Sequence, residues 1–195
     1  MQPSELYGLI LAGGSSSRMG SDKGLLEYHQ MPHREYLHQL LGKLCSKVFL
    51  SLREEQQTEI SAGIDFILDQ NKYQGPFNGI LSAHEIHPNG AWLVLACDLP
   101  YMDEVTLEQL IQNRNSEKDA TAFISKIGEP EPLVCIWEPH GLEKATSFLA
   151  ETNSCSPKRF LKNAHVELVL PTNEKALLNV NTLDEFKAIR TGKND

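Results

Sequence analysis

Two uninterrupted apolar runs constrain the fold more than any other feature of this 195-residue sequence. Residues 6–12 read LYGLILA and residues 91–97 read AWLVLAC. A strand without polar alternation is covered on both faces, which is typical of a parallel sheet between two layers of helices. Helix-like stretches alternate with such runs, so we predict a single-domain α/β protein with a three-layer, Rossmann-like architecture and a mainly parallel sheet.

The other segments predict the remaining elements. Further strands are expected at residues 48–52, 66–68, 120–125, 133–137, 166–170 and 176–180. Helices are expected over HREYLHQLLGKLC, EEQQTEISAG, residues 80–86, TLEQLIQN, residues 141–150, residues 157–162 and TLDEFKAIR, the last with Thr182 as its N-cap. Residues 120–125 and 133–137 are candidates for an antiparallel pair, so we expect a less regular, partly antiparallel C-terminal half.

The composition argues against several classes of function. The net charge is −8, whereas non-specific nucleic-acid binding needs a basic surface. No apolar run approaches the ~18 residues of a membrane span, and the first residues lack the basic start of a signal peptide. The four cysteines form no CxxC pair, which favours reduced thiols over a disulfide framework or a zinc site. We therefore expect a cytoplasmic location, with neither a membrane nor a nucleic acid as partner.

A glycine-rich stretch, LAGGSSSRMGSDKG, follows the first strand and spans residues 11–24. It is neither GxGxxG nor a Walker A loop, because Gly13 and Gly14 are adjacent and Lys23 is followed by glycine. Adjacent glycines let backbone N–H groups approach a phosphate closely, and Arg18 and Lys23 would add positive charge along a triphosphate. The residues alone leave two interpretations open, a phosphate-binding loop and a surface loop without a ligand.

Two aspartates directly follow other predicted strands. Asp69 comes after residues 66–68, and Asp98 comes after the second apolar run. Ligands of open α/β sheets gather at the carboxyl ends of the strands, so we expect both aspartates near the glycine-rich stretch. Asp98, in CDLPYMD, is placed to hold Mg²⁺ against nucleotide phosphates. The alternative role is a helix or turn cap, for which Asp103 is better placed.

Four sequence blocks resemble a known family. LILAGGSSSRMGSDKGLL is similar to the signature of the molybdenum cofactor guanylyltransferases, and ILDQNKYQGPFNGI, LACDLPYM and NVNTLDEF continue the likeness in family order. The resemblance implies a nucleotidyltransferase fold and a Mg²⁺-dependent reaction, in which GTP and Mo-molybdopterin give molybdopterin guanine dinucleotide and pyrophosphate. It also makes other molybdenum-cofactor biosynthesis proteins and apo-molybdoenzymes candidate partners, besides the two substrates.

The resemblance also implies roles for single residues. The base and ribose of GTP would contact the residues that end the first strand, Leu11, Ala12, Gly13 and Gly14. Lys23, assisted by Arg18, would bind the triphosphate, and Asp69 would lie at the guanine nucleotide site. Asp98 would hold the Mg²⁺, so Lys23, Arg18 and Asp98 are the expected catalytic residues.

The acceptor would contact Asn179 and Asn181. The nucleotide would thus lie in the N-terminal half, about residues 1–105, and the acceptor in the C-terminal half, about residues 106–190. Two alternatives to the guanylyltransferase function stay open. One is another nucleotidyltransferase of the same fold that uses CTP or a sugar- or polyol-phosphate acceptor, and the other is a non-catalytic protein that carries molybdopterin or GTP.

Some residues depart from the family pattern or keep two interpretations. Family members often have an asparagine near the end of the second strand, where this chain has Ser51, and Arg53 is a candidate for supplying that contact. Two further pairs fit either an exposed surface or the pterin-binding pocket: Lys158 with Arg159, and Glu129 with Glu131.

Overall fold

One seven-stranded sheet runs through both halves of the chain in the computed structural model, which describes residues 3–14, 23–152, 154–180 and 182–190. In chain order the strands are β1 (Leu6–Leu11), β2 (Lys47–Leu52), β3 (Phe66–Leu68), β4 (Ala91–Ala96), β5 (Ala120–Ile124), β6 (Pro130–Trp137) and β7 (Val166–Val169). Their spatial order is β3-β2-β1-β4-β6-β5-β7. Neighbours pair in parallel, except that β6 runs antiparallel to both β4 and β5. The predicted mainly parallel sheet with an antiparallel pair in its C-terminal half is confirmed.

Helices connect these strands. The α-helices are α1 (His33–Gly42), α2 (Pro76–Ile86), α3 (Glu104–Gln112), α4 (Pro139–Thr152), α5 (Pro157–Leu161) and α6 (Leu183–Arg190). Short 3-10 helices span Lys23–Leu25, Glu54–Glu59 and Glu174–Leu177. Thr182 caps α6 as predicted, because its Oγ1 accepts a hydrogen bond from the backbone N–H of Glu185 at 3.2 Å.

Two apolar cores explain why β1 and β4 show no polar alternation. Along β1, Ile10 packs with α1 and α3 on one face, whereas Leu9 packs with α2 and α4 on the other. Along β4, Leu93 and Leu95 belong to the first core, whereas Trp92 and Val94 belong to the second. Successive side chains of a strand point to opposite faces, so both faces of these strands are buried. The predicted three-layer architecture is confirmed.

One predicted strand is wrong. Residues 176–180 were expected to form a short strand, but a 3-10 helix spans Glu174–Leu177. The side chain of Asn173 causes this, because its Oδ1 accepts a hydrogen bond from the backbone N–H of Lys175 at 3.2 Å. A local side-chain bond of this kind competes with strand pairing. The backbone N–H of Val180 nevertheless donates a hydrogen bond to the carbonyl of Asp98, just after β4, at 2.8 Å.

A buried ion pair fastens the amino edge of the sheet, where β6 ends. Arg114, between α3 and β5, donates from Nε to Oε1 of Glu138 at 2.6 Å and from Nη2 to Oε2 at 2.9 Å. The same Nη2 donates to the carbonyl of Ser4, just before β1, at 2.9 Å. Glu138 is 1% exposed, so this two-pronged pair links three distant segments away from water.

The opposite, carboxyl edge collects the ends of six strands and the start of β6, because β6 alone runs in the reverse direction. The three segments predicted to carry chemistry, after β1, β3 and β4, all leave the sheet at this edge. Ligands of open α/β sheets bind there.

Candidate nucleotide-binding site

A cavity of about 430 Å³ opens at the carboxyl edge. Six of the residues expected to contact the nucleotide or its metal line it: Leu11, Ala12, Gly13, Gly14, Asp69 and Asp98. Its other lining residues are Gly24, Ser51, Arg53, Asn71, Tyr73, Gly75, Pro76, Asn78, Gly79, Ala96, Cys97 and Leu133. The convergence of segments that are far apart in the sequence is therefore real, although a cavity does not by itself name the ligand.

Gly13 allows a close approach between two segments that line this cavity. A Cβ added at Gly13 would lie 2.5 Å from Oδ2 of Asp69, so any larger residue would push that carboxylate away. The neighbouring loop is fixed as well, because Nε2 of the buried Gln56 donates to the carbonyl of Ala12 at 2.9 Å. The backbone after β1 is thus held against the end of β3.

Gly14 has the opposite surroundings. No described atom lies within 4 Å of a Cβ added at Gly14. Packing against the described residues therefore does not require glycine there. Bare backbone that faces a cavity leaves room for a ligand, and phosphate-binding loops use glycine in this way.

Asp69 is held at its strand end by Ser51. The Ser51 hydroxyl donates to Oδ1 of Asp69 at 2.6 Å. Burial raises the pKa of Asp69, while the Ser51 hydrogen bond, the charge of Arg53 and a hydrogen bond with Asn78 act in the opposite direction. The expected compensation by Arg53 for the family asparagine stays a prediction, although Arg53 does line the cavity.

The loop from Asp69 to α2 forms the far wall, and sequence reasoning missed most of it. Asn71 and Gly75 both have positive φ angles, 57° and 62°, and the ψ of −153° at Gly75 is one that glycine adopts far more readily than other residues. Oδ1 of Asn78 accepts from the backbone N–H of Tyr73 at 3.3 Å. Gly75 precedes Pro76, the first residue of α2, so the positive end of the helix dipole lies at the cavity. The signal was present in the block QNKYQGPFNG, which contains two glycines and four amide side chains.

Three aromatic side chains hold the segment that follows Asp98. Nε2 of His29 donates to the carbonyl of Pro100 at 3.1 Å, and Nε2 of the buried His33 donates to the carbonyl of Leu99 at 3.2 Å. The Tyr36 hydroxyl donates to the carbonyl of Met102 at 3.2 Å. Although His29 and His33 have the spacing of a metal-binding pair, both use Nε2 on backbone carbonyls.

The negative charge of Asp98 affects the nearby Tyr28. Burial raises the pKa of the nearby Tyr28 to about 12, and the negative charge of Asp98 adds to this increase. The alternative role of Asp98 as a helix cap belongs to Asp103 instead, whose Oδ1 accepts from the backbone N–H of Thr106 at 2.7 Å. Within the described ranges, no cluster of three or more histidine, cysteine, aspartate or glutamate side chains could hold a metal ion. Phosphate and water oxygens are the other ligands that Mg²⁺ commonly takes beside a single carboxylate.

The structure leaves several expected site residues untested. Arg18 and Asn181 are outside the described residues, and so is the side chain of Lys23, whose backbone begins a 3-10 helix. Asn179 is exposed. The structure therefore does not test the assignment of Lys23 and Arg18 to the triphosphate, or that of Asn179 and Asn181 to the acceptor.

A second cavity of about 230 Å³ lies at the same edge, beside the ends of β5 and β7 and the start of β6. Glu131 and Lys158 line it, with apolar walls that include Ile127 and Leu178. Burial raises the pKa of Glu131, whereas ion pairs with Lys162 and Lys158 lower the pKa of Glu129 to about 2. Glu129 and Glu131, for which the sequence left the same two interpretations open, thus have different environments.

Comparison with known proteins identifies the family of this chain. The sequence pattern of the MobA-like NTP transferase domain matches residues 8–168. The chain belongs to this family. The match covers the glycine-rich stretch and every residue that lines the first cavity. It covers only part of the second cavity, because Pro171, Glu174, Leu177 and Leu178 lie beyond residue 168.

Individual relatives agree with this family. The chain is 30% identical to the molybdenum cofactor guanylyltransferase of Ectopseudomonas mendocina, covering 92% of this chain and 89% of that protein. It is 36% identical to a molybdenum cofactor biosynthesis bifunctional protein of Synechocystis, covering 94% of this chain but 53% of the relative, so it spans about half of that protein. The crystal structure of molybdopterin-guanine dinucleotide biosynthesis protein A from Archaeoglobus fulgidus has the same fold, with a TM-score of 0.78, 20% identity, and coverage of 96% of this chain and 98% of that one. Among the described helices, none combines the length and the apolar character needed to cross a membrane.

Proposed function

We propose that the protein transfers GMP from GTP to the terminal phosphate of Mo-molybdopterin, forming molybdopterin guanine dinucleotide and releasing pyrophosphate. The observation that carries the proposal is the meeting of Gly13, Gly14, Asp69 and Asp98 in one cavity at the carboxyl edge. Family membership and the named guanylyltransferase relative support guanine as the base and molybdopterin as the acceptor.

The reaction needs positioning and charge neutralisation more than proton transfer. A terminal phosphate oxygen of the acceptor forms a bond to the α-phosphorus of GTP, and the bond from that phosphorus to the bridging oxygen of the leaving pyrophosphate breaks. The attacking phosphate is already ionised near neutral pH, so the residues of this chain need not remove a proton. Bringing two anions together in the correct geometry is the main barrier that the site must lower.

Asp98 is the residue that would hold Mg²⁺, because a carboxylate oxygen is the ligand type that Mg²⁺ prefers and its side chain lines the cavity. When bound, the ion would offset negative charge on the phosphate oxygens. Gly14 would let the backbone approach the nucleotide, and the positive end of the α2 dipole would favour an anion in the same cavity. Lys23 and Arg18 would bind the triphosphate and stabilise the leaving pyrophosphate.

The second cavity is the proposed acceptor side. Its position next to the nucleotide cavity follows from β6, since Leu133 lines the first cavity and Glu131 lines the second. These residues are two apart on one strand and so face the same side of the sheet. Asn179, next to the lining residue Leu178, and Asn181 would contact the acceptor from this side. The proposed division of labour thus places the nucleotide in about residues 1–105 and the acceptor in about residues 106–190.

The proposed setting is the cytoplasm, where reduced thiols persist and GTP is available. All four cysteines lie in the described residues and none forms a disulfide, which fits a reducing compartment. Other molybdenum-cofactor biosynthesis proteins and apo-molybdoenzymes are proposed to receive or deliver the pterin.

The test compares Asp98→Asn with Asp65→Asn, an exposed aspartate at the opposite edge of the sheet. Formation of guanine dinucleotide from GTP, Mg²⁺ and purified Mo-molybdopterin is measured by chromatography, and folding is checked by thermal unfolding. We expect the wild type and Asp65→Asn to form product, and Asp98→Asn to fold but lose at least about a hundredfold in rate. Retained transfer by Asp98→Asn would refute its role as metal ligand.

A nucleotide panel separates this proposal from the alternatives. Thermal stabilisation is measured with GTP, CTP, UTP and ATP in the presence of Mg²⁺, because a ligand that binds only the folded state raises its stability. Selective stabilisation by CTP would overturn the guanine assignment. Stabilisation by GTP without pyrophosphate release in the presence of the pterin would instead indicate a carrier.

A further inference from the structure

Ser51 occupies the end of β2, the strand end between those of β1 and β3. It is 1% exposed, and its surroundings leave no room for a larger side chain. A Cβ added at Gly79, in the first turns of α2, would lie 2.2 Å from Oγ of Ser51. The asparagine that family members often have at this strand end would therefore collide with the backbone of α2 unless the helix moved.

The single proton of the Ser51 hydroxyl is already committed. It is donated to Oδ1 of Asp69 at 2.6 Å, a short distance that is typical of a hydroxyl donating to a carboxylate. The hydroxyl therefore has no second proton to offer a nucleotide. As a donor, Ser51 can therefore act on the nucleotide only through Asp69.

The other oxygen of Asp69 is fixed by the chain itself. Oδ2 lies 2.5 Å from the position that a Cβ of Gly13 would occupy, so it rests against bare backbone at the start of the glycine-rich stretch. The carboxylate is therefore held by hydrogen bonds with Ser51 and Asn78 and, at Oδ2, by packing against the backbone. Gly13 and Gly79, on opposite sides of this pair, are both required for its geometry.

Resting on the proposed function, we propose that Ser51 is a positioning residue. Its hydroxyl holds the carboxylate of Asp69 in the orientation in which Oδ2 accepts a hydrogen bond from the nucleoside part of the bound nucleotide. Where the family uses an asparagine, this chain thus reaches the nucleotide through a serine–aspartate pair.

A double-mutant cycle tests this inference. Dissociation constants for GTP with Mg²⁺ are measured by calorimetry for the wild type, Ser51→Ala, Asp69→Ala and the double variant. We expect Ser51→Ala to weaken binding by roughly tenfold, the value of one hydrogen bond to a charged group. If Ser51 acts by positioning Asp69, the same substitution should have no further effect in the Asp69→Ala background, because the group that it positions has been removed. In transfer assays over a range of GTP concentrations, the loss in Ser51→Ala should appear in the KM for GTP more than in kcat, since the role is in binding.

Thr121→Val is the matched control. It removes one buried hydroxyl from β5, at the opposite edge of the sheet. In the wild type this hydroxyl accepts a hydrogen bond from the backbone N–H of Asn115 at 3.0 Å. It should leave GTP affinity unchanged, so any loss caused by general destabilisation would appear in both variants. Additive losses in the cycle, or wild-type affinity in Ser51→Ala, would overturn the inference. If the wild type binds a different nucleoside triphosphate, the cycle is run with that nucleotide. The guanine assignment can then be wrong while the role of Ser51 is still tested.

Discussion

Replacing Gly14 with alanine separates a glycine kept for its ligand from a glycine kept for the fold. No described atom lies within 4 Å of the added methyl group, so the free energy of unfolding should not fall. Alanine restricts the unfolded chain, which would raise stability by up to about 1 kcal/mol. In the nucleotide cavity the same methyl would occupy space meant for GTP. Overfilling a packed site costs about 1–3 kcal/mol, which corresponds to a dissociation constant for GTP roughly 5- to 150-fold higher.

Two other glycines supply the controls for this prediction. Gly42, at the end of α1, also has open space around an added Cβ and lies outside the cavity lining, so Gly42→Ala should leave GTP affinity unchanged. Gly13→Ala should lose both stability and affinity, because its methyl would meet Oδ2 of Asp69 at 2.5 Å. Calorimetry with GTP and urea unfolding measure the two quantities for all three variants. Wild-type GTP affinity in Gly14→Ala would refute the placement of the nucleotide against this backbone.

Two further predictions concern stability. Burial lowers the pKa of His33 from 6.5 to about 4, so the unfolded chain binds a proton at this residue before the folded chain does. The contribution of His33 to the free energy of unfolding is therefore fully present above pH 6.5 and is lost as the pH falls toward 4. Between pH 7 and pH 5 this loss amounts to about 2 kcal/mol. The free energy of unfolding of His33→Asn, measured with urea, should therefore change by about 2 kcal/mol less over this pH range than that of the wild type. An unchanged dependence of the free energy of unfolding on pH would contradict the prediction. Glu138→Gln should lower the free energy of unfolding by about 3 kcal/mol, because it leaves the charge of Arg114 buried without its partner. Glu104→Gln, which breaks the exposed pair with Lys43, should lower it by less than about 1 kcal/mol. Equal losses for the two variants in urea unfolding would contradict a stabilising role of the buried pair.

The sheet was predictable because burial on both faces leaves a direct mark on the sequence. The runs that became β1 and β4 could hardly be anything other than central strands. The start of β6 was less visible, since Pro130 and Pro132 interrupt the pattern and the strand begins three residues earlier than predicted. The 3-10 helix at Glu174–Leu177 was missed because one side-chain hydrogen bond from Asn173 outweighed an apolar pattern.

The site was predictable where topology alone decides which residues meet. Asp69 and Asp98 could be placed beside the glycine-rich stretch because parallel strands end at one edge. The contact between Ser51 and Gly79 was beyond prediction, since it depends on how closely α2 packs against β2, and no periodicity encodes that distance. The same holds for the second cavity, which forms only because β6 turns back to begin at the carboxyl edge.

The two outermost strands have a consequence for the behaviour of the protein in concentrated solution. An unpaired strand edge offers its N–H and C=O groups to any other extended chain, and long edges promote aggregation. Here the sheet ends in β3, with three residues, and β7, with four, so each edge presents only a few unsatisfied backbone groups. Phe66 and Leu168, which are partly exposed on these strands, can therefore be tolerated without creating a template for intermolecular strand addition. Lengthening either strand by a few apolar residues would remove this protection, even if the nucleotide cavity stayed intact.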